Sequence, residues 1–116
     1  MFADINNTVL KLLRFLLMDT AELIASAKHT AGLLKLMSNE NRLMILCTLI
    51  NKEMSVSELN DHIPLSQSAL SQHLAVLRKE EVVTTRRESQ TIYYRLNDPR
   101  VESIIQNLYN VFCQPD

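Results

Sequence analysis

The stretch LSQSALSQHLAVLRKE, Leu65 to Glu80, carries two patterns at once. Leu70, Leu74 and Leu77 recur at helical spacing and predict one buried stripe. Ser66 is a good N-cap, because its side-chain oxygen can accept an otherwise unpaired amide of the first turn. Leu65 and Leu70 stand at the spacing of a hydrophobic staple across that cap. The opposite face carries Ser68, Gln72, Ala75 and Lys79, with Ser71 on its flank, and has no Glu–Lys ladder of the kind that decorates a solvated helix. Short hydrogen-bonding side chains beside an alanine let a helix come close to base edges, and a terminal Lys or Arg can meet phosphate. The stretch therefore reads as a DNA recognition helix, with Ser66, Gln67, Ser68, Ser71, Gln72 and Lys79 as its contact candidates.

The neighbouring segments agree with that reading. Upstream, Ser55 and Glu58 in SVSELNDHI form an S-x-x-E capping box, and Val56, Leu59 and Ile63 give a short helix one apolar stripe. Ile63-Pro64-Leu65 is a tight turn, since Pro64 cannot continue the preceding ladder. Two short helices joined this way make a helix-turn-helix. Downstream, VVTTRRESQTIYYRL, Val82 to Leu96, is rich in β-branched and aromatic residues around a polar centre and predicts a β-hairpin. Ile92, Tyr94 and Leu96 are expected inward, with Thr91, Tyr93 and Arg95 outward. A hairpin with Arg86 and Arg87 near its tip, directly after a recognition helix, is a wing whose arginines suit phosphate.

Further out, Thr20 is expected to cap a helix running to Met37, and Ser38 to open the next. RLMILCTLI, Arg42 to Ile50, is apolar nearly all round and predicts a buried central helix ended by Asn51, Lys52 and Glu53. Asp98-Pro99 opens a last helix whose Val101, Ile104, Ile105, Leu108, Val111 and Phe112 form a stripe wide enough for a dimer interface. Residues 1–18 read as an N-terminal extension, helical or frayed, and Met18 is itself a candidate start. Residues 19–116 read as one winged helix-turn-helix domain, mainly α with a small β-hairpin.

Composition excludes several classes. The net charge of −1 argues against a protein that coats nucleic acid indiscriminately, but residues 66–95 hold five basic against three acidic residues, a small positive footprint in the right place. The run VLKLLRFLLM followed by Ala25-Ser26-Ala27 loosely mimics a signal peptide. Lys11 and Arg14 interrupt it and no charged region precedes it, so a cytoplasmic chain with no membrane span is expected. The two cysteines, Cys47 and Cys113, suit a reducing compartment, and a cysteine in an apolar helix is by default core packing. A thiol enzyme is disfavoured, because neither cysteine has a C-x-x-C partner, an adjacent His or a glycine-rich anion loop. A protein-interaction module that has lost DNA binding is the other competing class. His29 and His62 have no ligand neighbours at metal spacing, and His73, at the edge of the leucine stripe, reads as a packed, hydrogen-bonded side chain.

RLMILCTL, SVSEL, LSQSALSQHLAVLRKE and VVTTRRESQTIYYRL together resemble, in order and spacing, the ArsR/SmtB family of winged-helix regulators. The resemblance covers roughly residues 30–113. It implies a homodimer with the first and fifth helices of the family fold at the interface, a near-palindromic double-stranded DNA operator, and control by a small inducer. Metal-sensing members carry E-L-C-x-C before the recognition helix, where this chain has Glu58-Leu59-Asn60-Asp61-His62 with no thiolate. Others bind zinc through Asp and His on the last helix, which here has no His. No metal and no cofactor are expected. Cys47 and Cys113 resemble the pair of the HlyU-like, sulfide- and redox-responsive branch, which implies sensing of reactive sulfur species or oxidant. The resemblance implies a repressor released by thiol modification, or else an activator that displaces a silencing protein, with structural cysteines. A further departure is Glu80-Glu81-Val82, where the family usually ends the recognition helix with Gly.

Overall fold

The computed structural model describes residues 2–112, with the side chains of residues 6–112. The chain order is α1 (Phe2–Leu16), α2 (Thr20–Met37), α3 (Glu40–Thr48), β1 (Glu53–Ser55), α4 (Val56–His62), α5 (Gln67–Lys79), β2 (Val83–Glu88), β3 (Thr91–Leu96) and α6 (Pro99–Phe112). It divides into two compact units, Met1–Leu34 and Lys35–Asp116. In the first, no described side chain is buried, and Val9, Leu10, Leu12, Leu13, Phe15, Leu16 and Leu17 are all exposed. Asp19, not Thr20, caps α2: its Oδ1 accepts the Glu22 amide at 2.8 Å. No described helix is long and apolar enough to cross a membrane.

The second unit is a winged helix-turn-helix. Its core is built from Ile45, Leu46 and Leu49 around α3, Leu59 and Ile63 around α4, Leu70, Leu74 and Leu77 of α5, Val82 and Val83 of the wing, and Val101 and Ile105 of α6. Asn39, not Ser38, caps α3, its Oδ1 accepting from the amides of Asn41 and Arg42. The helix is less enclosed than its composition suggests: Met44 and Cys47 are exposed. Ser55 caps α4 in a complete capping box with Glu58. Asn60 then secures the turn into α5, because its side-chain amide donates to the carbonyls of Leu65 at 2.7 Å and Ile63 at 3.4 Å. These carbonyls belong to the segment in which Pro64 has no N–H to offer.

The wing is wider than a hairpin. Glu53–Ser55 adds a third strand, giving the antiparallel order β1-β3-β2. Glu53 stands opposite Arg95, Met54 opposite Tyr94 and Ser55 opposite Tyr93; on the other side Arg86 faces Tyr93 and Arg87 faces Ile92. The hairpin turns through Ser89 and Gln90, with Ser89 at φ 56° in the position where a type II′ turn demands a positive value. Ile92, expected inward, lies on the inner face of the sheet but beyond the core, and is 36% exposed.

The missing glycine after α5 does not abolish the left-handed cap. Glu81 adopts it, with φ 60°. Its amide donates to the Arg78 carbonyl and that of Val82 to the Leu77 carbonyl, both at 3.0 Å, which completes a Schellman motif. Leu77 and Val82, the pair that packs in such a motif, are both buried. A side chain with a Cβ tolerates this backbone at a cost that glycine does not bear. Glu81→Gly is expected to stabilise the fold by about 0.5–1 kcal/mol after the loss of unfolded-state restriction is set against the relief, measured as a rise in the urea midpoint without a change in slope. Asn60→Ala should cost about 1–2 kcal/mol in the same assay, because two turn carbonyls lose their donor.

Candidate nucleic-acid interface

α5 separates its two chemistries cleanly. Leu70, Leu74 and Leu77 have no exposed surface, while Gln67, Ser68, Ser71, Gln72, Ala75 and Lys79 are all exposed. The inner face packs against α3, α4 and β2. Ser66 Oγ accepts the Ala69 amide at 3.1 Å, so one lone pair of this hydroxyl is used within the protein, and its proton is free to meet a phosphate oxygen. The first turn of α5 carries no acid, which leaves the positive end of the helix dipole open to phosphate, and Arg78 and Lys79 close the last turn. Gln72 presents an amide that can pair bidentately with adenine, and the serines can meet either kind of edge.

The two wing arginines are in different situations. Neighbours on a strand point to opposite faces. Arg86 shares its face with Glu53, Tyr93 and Arg95; Arg87 shares the other with Val83, Tyr94 and Ile92. Arg86 Nε donates to Glu53 Oε1 at 2.7 Å and Nη1 to Glu88 Oε2 at 2.8 Å, while the guanidinium carbon sits 4.6 Å from the centre of the Tyr93 ring. The hydrogen bond from Arg86 holds the Glu53 carboxyl below the usual carboxylate range, and in turn the two carboxylates push the already high Arg86 pKa further up. Arg87 is exposed and makes no ion pair among the described residues. Strand alternation in RRE contained the signal that separates the two arginines. Glu53, 33 residues away, gave none.

Cys47 is exposed on α3 and lines a pocket of about 370 Å³ together with Thr48, Ile50, Lys52, Gln106 and Tyr109. Cys113 lies outside the described residues. His73 is half-buried beside the leucine stripe, and among the described residues no group of three or more His, Cys, Asp or Glu side chains could hold a metal ion.

Residues 39–85 match the model of the bacterial regulatory protein, arsR family. The transcriptional activator HlyU of Vibrio cholerae is 46% identical over 97 residues, covering 84% of this chain and 90% of that one. The biofilm growth-associated repressor of Xylella fastidiosa is 44% identical over 87 residues, covering 75% and 76%. The structure of reduced HlyU from Vibrio cholerae superimposes with a TM-score of 0.77 at 47% identity, covering 80% of this chain and 98% of that one. An exposed reading face on a winged helix-turn-helix, matched in sequence and in fold by regulators of this kind, makes the chain a member of the ArsR family, a transcriptional regulator and not an enzyme.

Proposed function

We propose that this chain is a homodimeric repressor that reads a near-palindromic operator through α5 and releases it when Cys47 and Cys113 are modified or bridged by reactive sulfur species or oxidant. The observation that carries the DNA reading is the contrast between the two faces of α5, one wholly buried and the other small, polar and exposed. Ser68, Ser71 and Gln72 read bases; Gln67, the proton of Ser66, Lys79 and Arg87 hold the backbone. A second copy is supported by α6, where Val101 and Ile105 are buried but Tyr109, Val111 and Phe112 are exposed. Two recognition helices then meet successive major grooves roughly 34 Å apart.

The thiol switch is supported by the exposure of Cys47 beside Tyr109, four residues before Cys113 in the sequence, and by a relative known in a reduced form. In the bridging step one cysteine thiolate attacks a persulfide, breaking its S–S bond to release a thiol and leave a cysteine persulfide. The second thiolate then attacks the inner sulfur and expels hydrogen sulfide, so that the two cysteines are oxidised by two electrons and the persulfide is reduced by two. The activator named among the relatives favours a second reading, in which DNA binding displaces a silencing protein and the cysteines are structural. Transcription from the bound promoter with and without a silencer separates the two.

Gln72→Ala is expected to cost about 1–3 kcal/mol in operator affinity and to relax sequence preference at one position per half-site; unchanged preference would remove Gln72 from the reading face. Cys47→Ser and Cys113→Ser should each bind DNA when reduced and keep binding after persulfide treatment. Release of DNA by treated Cys113→Ser would defeat the paired switch.

A further inference from the structure

The wing leaves the core as it extends. Along β2, Val83 is buried, Thr84 and Thr85 are half-buried, and everything from Arg86 to the turn is exposed. A two-stranded ribbon without an apolar face is marginal in water. The outer half of this wing therefore needs another restraint if it is to hold an arginine at a fixed place on DNA. On the outer face one side chain supplies it. Arg86 leaves the edge strand β2, lies across the Tyr93 ring of the central strand β3, and reaches Glu53 on the opposite edge strand β1, while its third nitrogen returns to Glu88 near the turn. One guanidinium thus ties all three strands. The strand it reaches ends at Ser55, the N-cap of α4, so the tie runs from the outer wing to the first helix of the helix-turn-helix.

We propose that Arg86 is a positioning residue for DNA binding: with Glu53 it clips the wing to the helix-turn-helix and does not itself bind phosphate. Its fork is engaged by two carboxylates, and a phosphate would have to displace one of them. Arg95 stands opposite Glu53 on the same face, so two carboxylates balance two guanidiniums and the cluster offers an incoming phosphate no net attraction. An isolated surface ion pair contributes little, but this one is a network with an aromatic stack, and its effect is on preorganisation of the wing. Arg87, on the opposite face, is left as the wing's phosphate ligand. The inference rests on the reading of the wing as a DNA-contacting element.

The test uses the full-length protein and a duplex selected by the wild type from a random-sequence library, with affinity measured over a range of salt. Glu53→Gln, Arg86→Gln and the double variant are each expected to bind on the order of tenfold more weakly, a difference of about 1.4 kcal/mol. The double should be no weaker than the singles, and the slope of log affinity against log salt should be unchanged. Arg86→Lys keeps the charge but not the fork, and should behave like Arg86→Gln. Arg86 is exposed and Glu53 half-buried, and an unchanged urea midpoint confirms that the variants are folded. Tighter binding by Glu53→Gln, a slope reduced by about 0.9 in Arg86→Gln, or wild-type affinity in all of them would overturn the clip. Arg87→Gln tests the underlying reading separately: it should lower the slope by about 0.9, and an unchanged slope there removes the wing's phosphate contact, whatever the clip variants do.

Discussion

Leu70, Leu74 and Leu77 lie on one face of α5 with no exposed surface, and every use of its other face depends on them. A helix that reads base edges must hold its side chains to within a fraction of an ångström, yet its reading face can have no contact with its own protein. All positioning therefore comes from behind. Each buried leucine is worth about 2–5 kcal/mol against truncation, at least as much as the roughly 1–3 kcal/mol of a good base contact. The ends of the helix are fixed as well. Ser66 caps the first turn, Asn60 holds the turn before it, and the Schellman motif carries Leu77 and Val82 together into the wing. Asn97 completes the closure, its amide donating to the Val82 carbonyl and its side chain to that of Glu81. The point where the recognition helix ends is thus also the point where the wing begins and where it returns.

Most of this frame was legible because its signals are local. A capping box, a proline turn, a three-leucine stripe and an alternating hairpin each announce themselves within a dozen residues, and each is found where the spacing places it. Other features were not settled locally. Helix starts shifted by one residue, from Thr20 to Asp19 and from Ser38 to Asn39, because adjacent polar residues compete for the same cap and only the backbone decides. Long-range pairings were silent altogether. β1 is three residues, too short to show alternation, and exists because β3 offers it a free edge.

Composition misled at Cys47. RLMILCTLI has apolar side chains nearly all round, and such a segment ordinarily vanishes into a core. In a domain this small the core is one layer thick, and α3 fills it with Ile45, Leu46 and Leu49 alone. Met44 and Cys47 remain exposed, Cys47 in a pocket that it shares with Gln106 and Tyr109 of α6. A thiol in the middle of an apolar run is therefore reachable from solvent, which is the first requirement of a cysteine that is to react. The absent glycine changes less than composition suggests: Glu81 takes up the left-handed cap, held by the amides of Glu81 and Val82 donating to the carbonyls of Arg78 and Leu77.

The electrostatics of the wing bear on how an acidic protein handles a polyanion. Of the five basic residues between 66 and 95, Arg86 is bound to two carboxylates and Arg95 stands opposite Glu53 on the same face. Arg78, Lys79, Arg87 and Arg95 make no ion pair among the described residues. In the proposed dimer the cations of both subunits would supply an attraction to phosphate that falls steeply with salt and is the same for every sequence. Discrimination would then come from base contacts and from two half-sites engaged together, each of which fails if the two α5 helices are displaced relative to one another. The proposed switch needs no more than that, since a modest change in their spacing removes the contacts that distinguish the operator.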